Sequence, residues 1–205
     1  MLIHINPDNP QPRLIQQVVR ILENDGVIIY PTDTVYGLGC SIHSKKAMKR
    51  LVQIKKVDPK KPLSFICSNQ SQIQEHSQGI PNDVFRLIRR HLPGPYTLVL
   101  QASKNVPKMM LTPRSTVGLR WPDHPIALSI VEALGHPILS SSLRVNEDEL
   151  YDNAEDLHDH FGKVVDAVVD GGSIFAAHSS IIDFTSGEPQ ILRQGKGETG
   201  WLDAL

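Results

Sequence analysis

The chain is poor in cysteine and aromatic residues, and its formal net charge is only −1. Two cysteines, Cys40 and Cys67, cannot form a disulfide framework or a four-thiolate zinc site. No apolar run approaches the roughly 20 residues of a membrane-spanning helix, and residues 1–10 lack the layout of a secretory signal. With 205 residues, 40% of them hydrophobic, the chain is long enough for a real core and too apolar for disorder. These features predict a cytoplasmic protein without a membrane partner.

The common motifs of nucleotide-binding proteins and hydrolases are also missing. There is no Gly-x-x-x-x-Gly-Lys-Ser/Thr loop, no Gly-x-Gly-x-x-Gly after the first strand and no Gly-x-Ser-x-Gly elbow. His158 and His160 are two residues apart, a spacing that does not place them on one face of a helix. We interpret this segment as a solvated acidic helix rather than a metal site, and we expect no metal ligated by the protein.

The near-zero net charge conceals two unlike halves. Residues 1–120 contain 17 basic and 7 acidic side chains, a balance of +10, whereas residues 121–205 contain 4 and 15, a balance of −11. Such asymmetry is typical of a surface that faces a polyanion. The alternative is that the two halves neutralise each other on folding, and composition leaves both open.

Short apolar strands alternate with amphipathic helices along the chain. Helices are expected at residues 13–25, from Ser44 onward, and at 82–92 and 125–134. Strands are expected at residues 27–30, 62–67, 96–101, 116–121, 137–142, 164–169, 180–184 and 190–193. Because several strands follow one another without a helix, a purely parallel sheet is not expected. The predicted fold class is α/β (α+β), one domain over residues 1–205 with its core at about 11–195, and a mixed or mostly antiparallel twisted sheet with flanking helices.

A polar block, residues 30–39, directly follows the first predicted buried strand. It contains Thr32, Asp33 and Thr34 and ends in Gly37 and Gly39. Hydroxyl groups and backbone amides at a strand end suit a small polar ligand. A polar turn with glycines for its backbone angles explains the same residues, and the residues alone slightly favour that turn.

A basic block at residues 45–61 contains eight cationic side chains and the single acid Asp58. Lys45, Lys49 and Lys56 share one face of the expected helix. Phosphate binding, to ATP or to RNA, explains this block better than a solvated helix does, because such helices normally intersperse acids.

The third block, residues 115–122, alternates as a strand. Thr116, Gly118 and Arg120 fall on one face, and apolar residues fall on the other. An inward arginine needs an anion, and a ligand carboxylate or an internal acid explains it about equally well. Serines at 140–142 and 179–180 offer further hydroxyl groups.

In this order, the blocks resemble the YrdC/YciO family, which includes the threonylcarbamoyl-AMP synthases. The specific parts are residues 31–39, 93–100 and 117–122, and the resemblance runs from the first helix to Gly195. It implies a YrdC-like domain with a basic concave face, which makes threonylcarbamoyl-AMP and pyrophosphate from L-threonine, bicarbonate and ATP with Mg²⁺. The product serves a tRNA adenosine modification, and double-stranded RNA binding is associated with the family.

The resemblance also implies roles for individual residues. Residues implied for threonine are Thr34, Arg120, Ser140 and Ser179. Residues implied for the nucleotide are Lys55, Lys61, Thr116, Ser142 and Arg193. Residues that we expect on an RNA- or phosphate-binding surface are Lys45, Lys49, Lys56 and Lys60.

Three departures from the synthase pattern place the chain nearer the YciO branch. Val57 stands where synthases usually have arginine, Ile66 and Cys67 occupy a strand that usually carries histidine, and Leu143-Arg144 replaces Ala-Asn. We therefore expect synthase-type chemistry that is weak or diverted. The alternative from another functional class is a non-catalytic double-stranded RNA-binding module of the same fold. The sequence leaves the true substrate, the RNA specificity and the oligomeric state open.

Overall fold

We analysed a computed structural model of the chain. The structure describes residues 1–55, 63–80, 82–110, 112, 114–143, 150–186 and 188–204. It contains eleven strands and six α-helices within these residues. The strands are β1 (Leu2–His4), β2 (Val27–Tyr30), β3 (Gly37–Ser41), β4 (Ser64–Ile66), β5 (Ser77–Gln78), β6 (Tyr96–Ala102), β7 (Thr116–Arg120), β8 (Ile138–Ser142), β9 (Ala167–Asp170), β10 (Ser180–Asp183) and β11 (Gln190–Arg193). The helices are α1 (Pro12–Glu23), α2 (Lys45–Lys55), α3 (Gln70–His76), α4 (Asn82–His91), α5 (Pro125–Leu134) and α6 (Ala154–Phe161).

All eleven strands belong to one mixed sheet, as the sequence predicts. Its order is β1-β9-β2-β3-β8-β4-β7-β6-β10-β11, and β5 pairs with β6. The β1–β9, β2–β9, β4–β7 and β6–β10 pairs are parallel, and the others are antiparallel. The fold is therefore the predicted α/β domain with a mixed sheet. In the described part, no helix is both long and apolar enough to cross a membrane.

Helices cover both faces of the sheet. On one face, α1 and α5 pack together and bury side chains such as Val18, Ile130, Ile66 and Ile138. The larger core cluster includes the buried faces of α2, α3, α4 and α6 with Phe65 and other strand residues. Since Phe65 and Ile66 are neighbours on β4, the two clusters lie on opposite faces.

The layer formed by α1 and α5 meets a row of small polar residues. Strand alternation places Ser140 on the same face as Ile138, and Ser64 on the same face as Ile66. Ser64 pairs with both Ser140 and Gly118 in the sheet register. This row lies beside the α1–α5 layer and is called the small polar face below: Gly37, Ser64, Thr116, Gly118, Ser140 and Ser142.

The structure also differs from the sequence predictions at several elements. Residues 37–39, which one of the two alternatives placed in a polar turn, begin β3, and β1 and α3 were not predicted. β9 begins at Ala167 rather than Val164, since residues 162–166 form a turn in which Val164 is exposed. Gly37 and Gly39 do not have positive φ angles. A Cβ on Gly39 would lie 2.7 Å from the Tyr30 ring, so close packing rather than turn geometry explains that glycine.

Candidate active site

A buried turn after β2 fixes the position of Thr34. The Thr32 hydroxyl donates to the Val35 carbonyl at 2.6 Å and accepts the backbone N–H groups of Thr34 and Val35. It also lies 3.1 Å from the Thr34 hydroxyl. Because the Thr32 proton is committed to Val35, the Thr34 hydroxyl donates in this contact and keeps its lone pairs for another donor.

That donor is Arg120, at the end of β7. Its Nη2 donates to Thr34 Oγ1 at 2.9 Å and to Asp33 Oδ1 at 2.8 Å. The Arg120 and Asp33 side chains are only 9% and 8% exposed. The arginine therefore has an internal acid as its partner, one of the two alternatives that the sequence left open. Its Nε atom is buried and has no hydrogen-bond acceptor in the described part of the chain, so the guanidinium retains a donor for a ligand.

The loop between β7 and α5 and the C-terminal segment hold Asp33 from two sides. The backbone N–H of Asp123 donates to Asp33 Oδ2 at 3.3 Å, and Lys196 Nζ donates to the Asp33 carbonyl at 2.6 Å. His124 caps the start of α5, and burial lowers its pKa, although the carboxylates of Asp33 and Asp123 oppose this shift. Among the described residues, its buried Nδ1 also lacks a partner. Near neutral pH this histidine is therefore uncharged.

The small polar face presents hydroxyl groups from neighbouring strands. The Tyr30 hydroxyl donates to Ser140 Oγ at 2.7 Å, and burial raises the Tyr30 pKa far above its usual value. The Thr116 hydroxyl lies 2.7 Å from that of Thr112. A Cβ on Gly118 would lie 2.9 Å from Ser64 Oγ, so glycine lets these strands place polar groups close together. Ser140, predicted for threonine, thus shares one face with Ser142 and Thr116, which were predicted for the nucleotide.

Ser179, directly before β10, and Arg193, at the end of β11, contact each other. Arg193 donates from Nε to the Ser179 carbonyl at 2.9 Å and from Nη2 to Ser179 Oγ at 3.1 Å. The Thr97 hydroxyl lies 2.9 Å from the same serine oxygen. Thr97 belongs to β6, which lies between Arg120's strand and β10. Ser179, beside β10, is therefore two strands away from β7, which carries Arg120.

Lys55 lies at the end of α2, and its Nζ contacts Ser141 Oγ. Strand alternation turns Ser141 to the face opposite Ser140 and Ser142. This contact therefore places Lys55 on the α2 side of β8, rather than directly on the small polar face. Lys61, also predicted to face the nucleotide, lies outside the described residues.

The basic surface predicted on α2 includes Lys45 and Lys49, which are both exposed. With Lys46, Arg50 and Gln53 they line a groove of about 440 Å³. Arg50 forms an ion pair with Asp166 at 2.6 Å, and Lys46 lies 3.7 Å from Asp25. Asp25 and Asp166 thus place acidic side chains among the basic residues of α2, although the sequence of α2 itself contains none. Lys56 and Lys60 lie outside the described residues.

Four residues at the site were not singled out by the sequence patterns. They are Asp33 as the specific partner of Arg120, His124, Lys196 and Thr97. Asp33 stands within the polar block, where its position between two threonines was a usable signal. Thr97 lies within residues 93–100, one of the segments that carry the family resemblance. His124 and Lys196 lack a distinctive motif, because long-range contacts bring them to the site. In the described part, no group of three or more His, Cys, Asp or Glu side chains could hold a metal ion.

Known proteins resemble this chain in sequence and in fold. A family model described as telomere recombination, which covers Sua5, YciO and YrdC proteins, matches residues 20–195. The YciO protein of Escherichia coli K12 is 39% identical over 95% of both chains. The threonylcarbamoyl-AMP synthase of Vibrio vulnificus is 31% identical over 88% of this chain and 98% of its own.

Two solved structures share the fold. The crystal structure of E. coli YciO superposes with a TM-score of 0.93, covering 98% of both chains at 38% identity. Sua5 of Pyrococcus abyssi in complex with L-threonine gives a TM-score of 0.89 at 28% identity, covering 95% of this chain and 57% of Sua5. From the polar turn, the buried arginine, the mixed sheet and these likenesses, it follows that the chain belongs to the Sua5/YciO/YrdC family.

Proposed function

We propose that the chain binds L-threonine and ATP and forms threonylcarbamoyl-AMP, with bicarbonate as the source of the carbamoyl carbon. The observation that carries this proposal is the buried Arg120, held by Asp33 and Thr34, whose Nε keeps a donor without a partner in the described part. An arginine with an unused donor suits a ligand carboxylate. Two relatives support the choice of ligand: the V. vulnificus synthase and the threonine-bound Sua5.

In this proposal, the residues act by binding and positioning. Arg120 binds the threonine carboxylate, Thr34 contacts the amino acid through its hydroxyl oxygen, and Ser140 and Ser179 lie near the rest of the amino acid. The hydroxyls of Thr116 and Ser142 donate to the nucleotide, while Lys55 and Arg193 supply positive charge for its phosphates. Bicarbonate takes up a proton and releases water to give CO₂, and the threonine ammonium group loses a proton to solvent to give the free amine. The amine nitrogen bonds to CO₂ and releases a second proton to form a carbamate, whose oxygen attacks the α-phosphorus as the bond to pyrophosphate breaks. Catalysis then rests on orientation and charge stabilisation.

Mg²⁺ enters this proposal together with ATP. The described residues contain no cluster of metal-ligating side chains. They fit an ion whose ligands are mainly phosphate oxygens and water, as is usual for nucleotide-bound Mg²⁺. The ion would neutralise phosphate charge beside Lys55 and Arg193.

The departures from the synthase pattern support a slow reaction. Leu143, which stands where synthases usually have alanine, is buried in the larger core cluster. Ile66 is buried in the α1–α5 layer, and Cys67 has no exposed surface. These side chains fill the core and offer a nucleotide no hydrogen bonds. We therefore propose an activity below that of the V. vulnificus synthase.

The test is product formation from ATP, Mg²⁺, bicarbonate and radiolabelled threonine, with the V. vulnificus synthase as the positive control. Labelled threonylcarbamoyl-AMP and pyrophosphate in equal amounts are expected, and both should depend on bicarbonate. Their absence at high enzyme concentration, while the control reacts, would refute the proposal.

A second proposed function is binding of double-stranded RNA, including tRNA, on the α2 groove. Lys45 and Lys49 are exposed and form no ion pair in the described part of the chain. Affinity should fall steeply with salt because phosphate contacts release counterions. A Lys45→Ala/Lys49→Ala variant should bind a duplex more weakly, whereas the charge-matched Lys104→Ala/Lys108→Ala variant should not. Equal affinity of both variants would refute this function.

A further inference from the structure

The buried Arg120–Asp33 pair carries no net charge. Both side chains are more than nine-tenths buried, and the nearby His124 is neutral because burial lowers its pKa. Lys196, which contacts the Asp33 carbonyl, is exposed to solvent. A ligand that carries only a negative charge would contact the Arg120 guanidinium, whose charge Asp33 already balances. The same ligand would lie close to the Asp33 carboxylate. Such like-charge contact is costly where little water can screen it.

Each member of the pair retains hydrogen-bonding capacity. Arg120 Nε has no acceptor in the described part. The Asp33 carboxylate accepts one N–H from Arg120 and one from the Asp123 backbone, whereas a carboxylate can accept about four hydrogen bonds. A donor site and acceptor sites therefore lie next to each other, with Arg120 Nη2 and Asp33 Oδ1 only 2.8 Å apart.

The backbone of Asp33 is held rigidly, so the carboxylate is positioned in advance. Lys196 holds its carbonyl, and the Thr32 hydroxyl holds the backbone N–H of the next residue. Adjacent, fixed charges of opposite sign match a compact ligand that carries both signs on neighbouring atoms. An α-amino acid is such a ligand.

We propose that Asp33 determines ligand specificity by selecting the zwitterionic form of an α-amino acid. The ligand carboxylate binds Arg120, and the ligand ammonium group binds Asp33. This inference rests on the proposed function, which places a carboxylate at Arg120, and it adds the residue that recognises the ammonium group. Hydroxy acids of the same shape lack the positive charge and bind more weakly beside the Asp33 carboxylate.

The test measures the affinity of the full chain for two ligands by calorimetry. These are L-threonine and 2,3-dihydroxybutyrate, in which a hydroxyl replaces the amine. Since hydrogen bonds to charged groups contribute about 1.5–3 kcal/mol, wild type should prefer threonine by about tenfold or more. In Asp33→Asn the preference should fall to near unity, through weaker threonine binding and tighter dihydroxybutyrate binding. The exposed Asp8→Asn variant removes the same charge elsewhere and should retain the wild-type preference.

The outcomes separate this inference from the proposed function. If wild type binds neither ligand, the proposed threonine site is refuted, and this inference falls with it. If wild type binds both ligands equally, or if Asp33→Asn retains the preference, the threonine site stands and the role of Asp33 is refuted. If Asp33→Asn does not fold, equal affinity of wild type for the two ligands still refutes the role of Asp33.

Discussion

At the scale of single residues, the proposed threonine site depends on the guanidinium of Arg120. Its Nη2 contacts Asp33 and Thr34, and its buried Nε has no hydrogen-bond partner in the described part of the chain. Arginine and lysine are not equivalent in this position, because lysine offers a point charge rather than a planar set of donors.

Arg120→Lys should therefore weaken threonine binding by about tenfold or more, since at least one charged hydrogen bond is lost. The free energy of unfolding should also fall by about 1–3 kcal/mol, because Asp33 or Thr34 loses its partner in a buried place. Calorimetry and urea denaturation measure the two effects. Unchanged threonine affinity would exclude Arg120 from the ligand site.

The two cysteines give a second prediction at this scale. Cys40 and Cys67 have no exposed surface, and burial raises the pKa of Cys40 to about 12 and that of Cys67 further. Since the thiolate is the reactive form, neither should react with a disulfide reagent in the native protein. Both should react in urea. Rapid labelling of one thiol per native chain would contradict the burial of these residues.

At the scale of helices and strands, apolar periodicity allowed most of the fold to be predicted. α1, α4 and α5 and most strands lie close to their expected positions because their apolar stripes or runs are long. β3 was not predicted because its Gly37-Leu38-Gly39 segment has poor strand propensity. Its pairing with β2 and β8 stabilises it as a strand, and such long-range contacts are not visible in a local pattern.

α3 was missed for a related reason. Its sequence is polar, and Ile73 is the only aliphatic residue in it. Asn69 caps it by accepting the N–H of Gln72, and Nδ1–H of the buried His76 donates to the Gln72 carbonyl at 2.8 Å. Capping and tertiary burial therefore form this helix without an apolar stripe.

The small polar face gives a prediction that separates ligand binding from folding. Gly118→Ala places a methyl group 2.9 Å from Ser64 Oγ. A serine hydroxyl can rotate away, so the free energy of unfolding should change by only about 1 kcal/mol, the low end for overpacking. The methyl group and the displaced hydroxyl should nevertheless weaken nucleotide binding severalfold.

Gly200→Ala is the matched control, because its added Cβ would meet no atom within 4 Å. Nucleotide affinity and urea denaturation are measured for both variants. If Gly118→Ala binds ATP as tightly as Gly200→Ala, the small polar face is not the nucleotide site.

At the scale of the whole molecule, folding brings the two oppositely charged halves of the chain together. Arg50 and Asp166 form an ion pair between the halves at 2.6 Å. The described acids of residues 150–159 lie on or beside α6, whose buried residues belong to the larger core cluster. They therefore lie on the sheet face opposite the small polar face, which is also the face that α2 covers.

The site could be predicted only in part from the sequence. The family resemblance indicated Thr34, Arg120 and the serines as candidates, and strand alternation grouped Arg120 with Thr116 on one face. Asp33's contact with Arg120 joins residues 87 positions apart, and Lys196 approaches Asp33 from 163 positions away. Contacts at such separations depend on the register of the whole sheet, so local spacing could not indicate them.

The lowered pKa values of two partly buried histidines predict how the free energy of unfolding depends on pH. Burial lowers the pKa values of His124 and His136, whereas in the unfolded chain histidine titrates at about 6.5. The unfolded state therefore binds more protons as the pH falls through that value, and the free energy of unfolding decreases. Urea denaturation at pH 7.5 and 5.5 measures this decrease. His124→Gln and His136→Gln should each flatten the profile, and a stability that rises toward pH 5.5 would contradict the shifts.

Incubating the protein with ATP, Mg²⁺, bicarbonate and labelled L-threonine, and then separating the products, tests the proposed synthase activity. We expect labelled threonylcarbamoyl-AMP and pyrophosphate in equal amounts, formed more slowly than by the V. vulnificus synthase. Arg120→Lys should form much less of both products. Formation of neither product by the folded wild type, under conditions in which the V. vulnificus synthase reacts, would contradict the proposed activity.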